Sequence, residues 1–172
     1  MGILSGAPKN EPLHYGEIYG VWSALLKAKS SIAANQTLLN HAGDRELRQL
    51  IEEAIKMGQD ESRQLEELLI EHQIQVPPSP PARAKASIDQ IPDGARFLDP
   101  EIAAFISAST GTAMTADSQM IVQCVREDVG LMFAQFHTQK VTFAAKMLRL
   151  SKEKGWLIPP PLYQIKEMAH QG

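Results

Sequence analysis

Val76-Pro77-Pro78-Ser79-Pro80-Pro81 is the stretch on which the fold turns. Each proline removes a backbone donor and pushes the residue before it out of the helical region, so the run is extended. On both sides of it apolar residues return at spacings of three and four, the period of helices rather than strands. The run belongs to a segment, residues 73–99, that reads as a crossover. Fully stretched, such a segment spans well over the roughly 40 Å length of the neighbouring helices. Ile88, Ile91 and Phe97 are available to pin it to the rest of the molecule.

Upstream, Asn10-Glu11-Pro12 opens a first helix over about 12–42, with proline tolerated in the first turn. Its seam is His14, Ile18, Val21, Leu25, Ala28, Ile32, Asn35 and Leu39, broadened by Trp22 and Leu38. Gly43 stops it, and Asp44 caps a second helix over about 44–72, with seam Leu47, Ile51, Ala54, Gly58, Glu61, Leu65 and Leu68. Downstream, Asp99-Pro100-Glu101 starts a third helix over about 100–126, Asp99 standing as its cap. Its seam, Ile102, Ile106, Ser109, Ala113, Ala116, Met120 and Cys124, is rich in small residues. Ser109-Thr110-Gly111-Thr112 is poor helix material, where a kink is expected. A break near Arg126-Glu127-Asp128 leads to a fourth helix over about 128–154, with seam Val129, Phe133, Phe136, Lys140, Phe143, Met147 and Leu150. Gly155 ends it, and Trp156 folds back on its last turn.

The chain repeats itself. Val76-Pro77-Pro78 matches Ile158-Pro159-Pro160, and Asp44 matches Asp128, at a period of roughly 82 to 84 residues. Two helical hairpins joined by one long connection give an all-α, antiparallel four-helix bundle of ferritin-like type, as a single domain over 1–172.

Composition sets outer bounds. At 172 residues, with 44% apolar and 22% charged residues, the chain is ordinary for one globular domain. A net charge of -3 and no basic stripe argue against nucleic acid as a partner. No apolar stretch approaches the roughly 18 residues of a membrane span, and the start of the chain has no signal-peptide pattern. The single cysteine, Cys124, permits no internal disulfide; on a helix seam it reads as an inert thiol in a reducing, cytoplasmic setting.

Six motifs occur in order: His14-Tyr15-Gly16-Glu17, Asn40-His41-Ala42-Gly43-Asp44, Asp99-Pro100-Glu101-Ile102, Arg126-Glu127-Asp128, Gln135-Phe136-His137 and Lys154-Gly155-Trp156-Leu157. Together they resemble an uncharacterised family of spore-forming bacteria, spore-coat-F-like or spore-coat-type proteins, over nearly the whole chain. The resemblance implies a ferritin-like four-helix fold and an association with sporulation or the coat. It implies no catalytic residue.

A ferritin-like bundle raises the question of a carboxylate-bridged metal pair. Such a centre takes a Glu from each of two helices and Glu-x-x-His from each of the other two. Inside the four helices no acid has His three residues on: Glu17 meets Gly20, Glu61 meets Gln64, Glu101 meets Ala104 and Glu127 meets Gly130. The standard site is therefore not expected, nor any resident cofactor. A reversed pair, His14-x-x-Glu17, together with Glu61 and His137, forms an alternative set for one metal ion or small ligand. The commoner reading of each is local: a helix-start hydrogen bond for His14 and Glu17, a satisfied boundary histidine for His137, and a helix-end cap for His41.

Charge on the apolar seams is more informative. Glu61 and Lys140 fall on seams, with Lys29 and Asp117 beside them. Long side chains at seam edges ordinarily reach water. The sharper alternative is an internal polar layer in which Lys29 and Lys140 meet Glu61 and Asp117, fixing helix register rather than adding net stability. The sequence thus reads as a non-enzymatic structural or interaction protein. Its expected partners are other proteins, coat proteins or a second copy through the small-residue face of the third helix. The alternative is a bundle that binds a metal ion or small ligand in its core.

Overall fold

The computed structural model describes residues 11–163. Asn10, to which the sequence reading assigned a helix start, lies outside them. The helices are α1 (Tyr15–His41), α2 (Arg45–Glu71), α3 (Asp99–Gln123) and α4 (Glu127–Glu153), with two single 3-10 turns between α2 and α3. No strand occurs among the described residues, and no helix there is long and apolar enough to cross a membrane.

α1 packs along α2 and α3 along α4; the α1–α3 and α2–α4 contacts between the hairpins are much thinner. The start of α1 meets the end of α3, and the start of α2 meets the end of α4. Every neighbouring pair is therefore antiparallel, a four-helix bundle of two hairpins.

The expected boundaries move slightly. α1 begins at Tyr15 rather than at Pro12, because His14 is its cap. Its Nδ1 accepts from the Gly16 and Glu17 N–H groups, while its own N–H donates to Glu17 Oε2 at 2.9 Å. α3 ends at Gln123, sooner than expected, with Cys124 as its C-cap. The Ser109–Thr112 stretch stays helical; Thr110 and Thr112 hydroxyls donate to the carbonyls of Ile106 and Ala108 one turn back.

A shift of 82 superposes one hairpin's sequence on the other, taking Arg45–Glu71 onto Glu127–Glu153. It also takes the last residue of α1 onto that of α3, and Gln73 onto Gly155. These are the two positive-φ residues of the described chain, at φ 58° and 71°. Each closes its helix in the same way: Ile74 N–H donates to Leu69 O, and Trp156 N–H to Ser151 O.

The buried side chains form two apolar clusters rather than one. Leu47, Ile51, Ile102, Ile106, Phe143 and Met147 fill the end near the α1–α2 turn. Val21, Leu25, Leu65, Leu69, Phe133 and Phe136 fill the other. The fourth seam is buried at every expected position. In α3, Ile102, Ile106 and Met120 are buried as expected, while in mid-helix Thr110 and Asp117 are buried in place of Ser109 and Ala116.

The crossover lies against α1 and is held by polar groups. Trp22 Nε1 donates to Gln75 O at 3.0 Å, and Lys29 Nζ to Pro77 O at 3.0 Å. Gln36 Oε1 accepts from Arg83 N–H, and Asn40 bonds both Ala84 O and Ala86 N–H. An extended, proline-rich chain has no internal hydrogen bonds, so its backbone groups need outside partners. Trp22, Lys29, Gln36 and Asn40, at spacings of seven, seven and four, supply them along one face of α1. Of the expected apolar pins, Ile88 and Ile91 are half-buried and Phe97 is half-exposed. Phe97 is anchored by its N–H to His41 Nδ1 at 3.1 Å and by ring contact with that imidazole. His41 is thus a tie to the crossover rather than a free helix cap.

Candidate functional site: a charged mid-layer between two closed ends

Each end of the bundle is closed by an acid from the opposite hairpin. Glu17, in the first turn of α1 and 1% exposed, takes the Val125 and Arg126 N–H groups on Oε1 at 2.6 and 2.8 Å. Those are the donors of the α3–α4 turn, which no helix can satisfy. Asp99, in the first turn of α3, takes the Gly43 and Asp44 N–H groups of the α1–α2 turn at 2.8 and 3.0 Å. The shift of 82 carries Glu17 onto Asp99 and Gly43-Asp44 onto Val125-Arg126. Asp99 is therefore not the cap of its own helix; its carboxylate is spent on the other hairpin.

The same shift relates two further contacts. Lys154, after α4, pairs with Asp44 before α2 at 2.9 Å. Arg126, before α4, donates to His72 Nε2 after α2 at 2.8 Å, and forks onto Asp128 at 3.0 and 2.6 Å. His72 Nδ1 then faces Leu68 O at 2.9 Å as the donor. The Arg126 fork holds the Asp128 carboxyl below its ordinary range, and the Lys154 ammonium does the same for Asp44. Cys124 sits beside this end, half-buried; burial, then the Glu17 and Asp128 charges, push its thiol up to about 11. Such a thiol is a poor nucleophile.

At mid-height, between the apolar clusters, three charges meet. Lys140 Nζ of α4 lies 2.8 Å from Glu61 of α2 and 2.8 Å from Asp117 of α3, and 5.5 Å from the Phe136 ring centre. All three residues are more than nine-tenths buried. Burial pushes both carboxyls above their ordinary range, and the Lys140 ammonium pulls against it without prevailing. One ammonium shared by two carboxylates cannot balance both, so the layer favours holding one more positive charge, a proton or a cation.

Beside the trio is a cavity of about 370 Å³. Asn35, Gly58, Glu61, Thr110, Lys140 and Phe143 are among its walls. The shift of 82 takes Gly58 onto Lys140 and Asn35 onto Asp117. The first hairpin thus presents a bare backbone and a neutral amide where the second presents an ammonium and a carboxylate; a Cβ on Gly58 would meet Ile32 Cγ1 at 3.1 Å, so the glycine admits the close approach of α1.

The polar layer assembles with one correction. Lys140, Glu61 and Asp117 are in it; Lys29 is not. Lys29 is buried, but faces the crossover, bonding Pro77 O and lying 3.3 Å from Glu66. The one-residue step from Ala28 to Lys29 moves the side chain about 100° around the helix, and the strap covers that flank.

The four alternative ligands do not converge. His14 and Glu17 sit at one end, 3.7 Å apart and committed to backbone groups. Glu61, and His137 close enough to act on the Asp117 charge, belong to the middle, roughly 15 Å along the bundle. Two Glu-x-x-His elements lie beyond the helices, Glu11-x-x-His14 and Glu167-x-x-His170. Glu11 is buried, but it precedes α1 in non-helical chain, so it shares no helical face with His14. The second element lies outside the described residues. No group of three potential metal ligands occurs among the described residues. Glu17 and Asp99 as partners of distant turns were not legible, since nothing local in sequence links residues 17 and 125.

Comparison with known proteins places this architecture. The chain is 47% identical over 166 residues to the uncharacterised protein YvdQ of Bacillus subtilis (strain 168), covering 96% of this chain and 98% of that one. It is also similar to a crystal structure from Bacillus halodurans C-125, provisionally named a spore coat protein. There the TM-score is 0.90 at 51% identity, over 92% of this chain and 99% of that one. The spore-coat wording anticipated from the ordered motifs stands in that neighbour's provisional name. A family model described as a protein of unknown function, DUF3231, matches residues 1–168. With a match of that length and relatives at this identity, the chain belongs to the DUF3231 family.

Proposed function

We propose that this protein is a non-enzymatic structural or interaction protein of ferritin-like arrangement, made in the cytoplasm of a sporulating bacterium and deposited on the spore coat. The observation that carries the reading is the provisional spore-coat name of a structural neighbour 51% identical over nearly the whole chain. The interior supports it. The acids that close the ends are spent on backbone N–H groups, and an ammonium occupies the middle, where a bundle of this kind could hold cations. The partners are other coat proteins or a second copy, not nucleic acid or the membrane interior. Ala113 and Ala116 of the small-residue face of α3 line the cavity, so self-association would draw on outward side chains such as Phe105 and Val122.

A fluorescent fusion expressed in a sporulating Bacillus tests this. A ring of signal around the developing spore, and recovery of the protein from coat extracts of purified spores, are expected. Diffuse signal with none in the coat fraction overturns the reading. The second reading, one metal ion or small ligand in the core, draws on the mid-layer cavity; elemental analysis of protein purified without chelator addresses the metal half of it. Stoichiometric iron, manganese or zinc would displace the first reading.

A further inference from the structure

We infer that the mid-layer cavity is a binding site for a small amphipathic amine, an ammonium head on a compact hydrocarbon body. The volume of about 370 Å³ equals roughly a dozen waters, and it falls in the range of small-molecule pockets. Its deeper walls are Ala28, Met57, Ile106 and Phe143, which offer water few partners. Polar groups converge at one side only. Asn35, 8% exposed, lines the cavity, and its side-chain amide has no hydrogen-bond partner among the described residues. Among the described residues, Lys140 is the only cation paired with Glu61, and it is shared with Asp117.

The sign of the ligand follows from what is already satisfied. The one buried cation on the cavity wall, Lys140, is held by Glu61 and Asp117 together, so it has little left for an anion. What remains is an excess of negative charge, two carboxylates against one ammonium, with the Asn35 amide able to turn its oxygen toward a donor. The charged groups around the layer are Glu61 from α2, Asp117 from α3, and Lys140 with the titratable His137 from α4. From α1 comes Lys27, exposed at the rim. An ammonium seated between Asn35 and Glu61 donates to both and supplies the positive charge that the two carboxylates lack. Its body lies on Met57, Ile106 and Phe143. Entry is between α1 and α3, where Ser31 and Thr112 on the cavity wall are exposed and the helices touch little. The inference goes beyond placement on the coat and does not depend on it.

Three probes with one body and different heads separate the alternatives: benzylamine, benzyl alcohol and benzoate, titrated calorimetrically and followed by thermal melting. Benzylamine is expected to bind and to raise Tm by a few degrees, benzyl alcohol to bind at least tenfold more weakly, and benzoate not to bind. Ala113→Leu, which fills the cavity from α3 without touching the charges, should abolish benzylamine binding while the protein still melts cooperatively. Glu61→Gln should weaken it tenfold or more. No binding of any probe, equal affinity for all three, preference for benzoate, or undiminished benzylamine binding in folded Ala113→Leu each overturns the inference.

Discussion

The two hairpins are copies at their ends and differ in their middles. Glu17 and Asp99 do one task, Gly43-Asp44 and Val125-Arg126 receive it, and Gln73 and Gly155 end their helices alike. Half-way along, the correspondence fails: Asn35, Gly58 and Glu61 in one hairpin stand against Asp117, Lys140 and Phe143 in the other. The ends answer to backbone chemistry, because each tight turn leaves N–H groups that need an acceptor whatever the protein does. The middle is under no such demand. Its asymmetry makes the buried charge excess beside the cavity, and it is where specialised behaviour is sought.

The largest effect should come from the middle. Lys140→Met leaves Glu61 and Asp117 buried without their counter-ion and is expected to cost about 3–5 kcal/mol near neutral pH, read by urea unfolding. Adding Glu61→Gln and Asp117→Asn should recover most of that loss, because the penalty is the stranded charge. If Lys140→Met is as stable as the parent, the trio is not a buried ion network.

The ends come next, and unequally. Glu17 is fully buried and takes three N–H groups, whereas Asp99 is half-buried and takes two across the turn. Glu17→Gln keeps size but halves the acceptor capacity, at a cost of roughly 2–3 kcal/mol; Asp99→Asn should cost about 1 kcal/mol. Equal losses would show that burial does not set the strength of the two clasps.

This division also marks what could be read in advance. The four helices, the repeat and the fourth seam follow from period and capping chemistry, and Lys140, Glu61 and Asp117 are suspicious because charge interrupts apolar spacing. Lys29 looks the same in sequence and belongs elsewhere, since spacing gives an angle around a helix but not what covers each flank. The strap covers that flank, and its polar docking leaves no apolar signature. Glu17 was legible as a helix-start acid. Its second task was not, because the donors it serves are 108 and 109 residues away.

Acid and base should act on the two regions with opposite sign. In the middle, burial raises the folded-state carboxyl pKa values of Glu61 and Asp117. Their contribution is therefore full below the ordinary carboxyl range and is lost as pH rises through the raised values. At the ends, Asp128 and Asp44 are lowered by Arg126 and Lys154. Theirs is present above the ordinary value of 3.8 and disappears as pH falls through the depressed values. Unfolding measured from about pH 3 to about pH 8 should show Glu61→Gln flattening the decline on the alkaline side. Asp128→Asn should flatten the loss on the acid side. A swap of the two effects would mean that the shifts run the other way.

The smallest effect is the sharpest test of the copied ends. Gln73 and Gly155 occupy one position of the repeat, and both hold left-handed backbone with φ 58° and 71°. A side chain there costs on the order of 1 kcal/mol, which glycine avoids. Gln73 is exposed and its N–H already donates to Ile70 O, so changing it to glycine removes no packing and keeps the closing bond. Glycine also loses more freedom on folding, which offsets part of the gain. Gln73→Gly is therefore expected to stabilise by about 0.5 kcal/mol, and Gly155→Ala to destabilise by about 1 kcal/mol. If both substitutions destabilise, the Gln73 side chain holds the start of the strap in a way its counterpart does not, and the copying of the ends stops one residue short of the crossover.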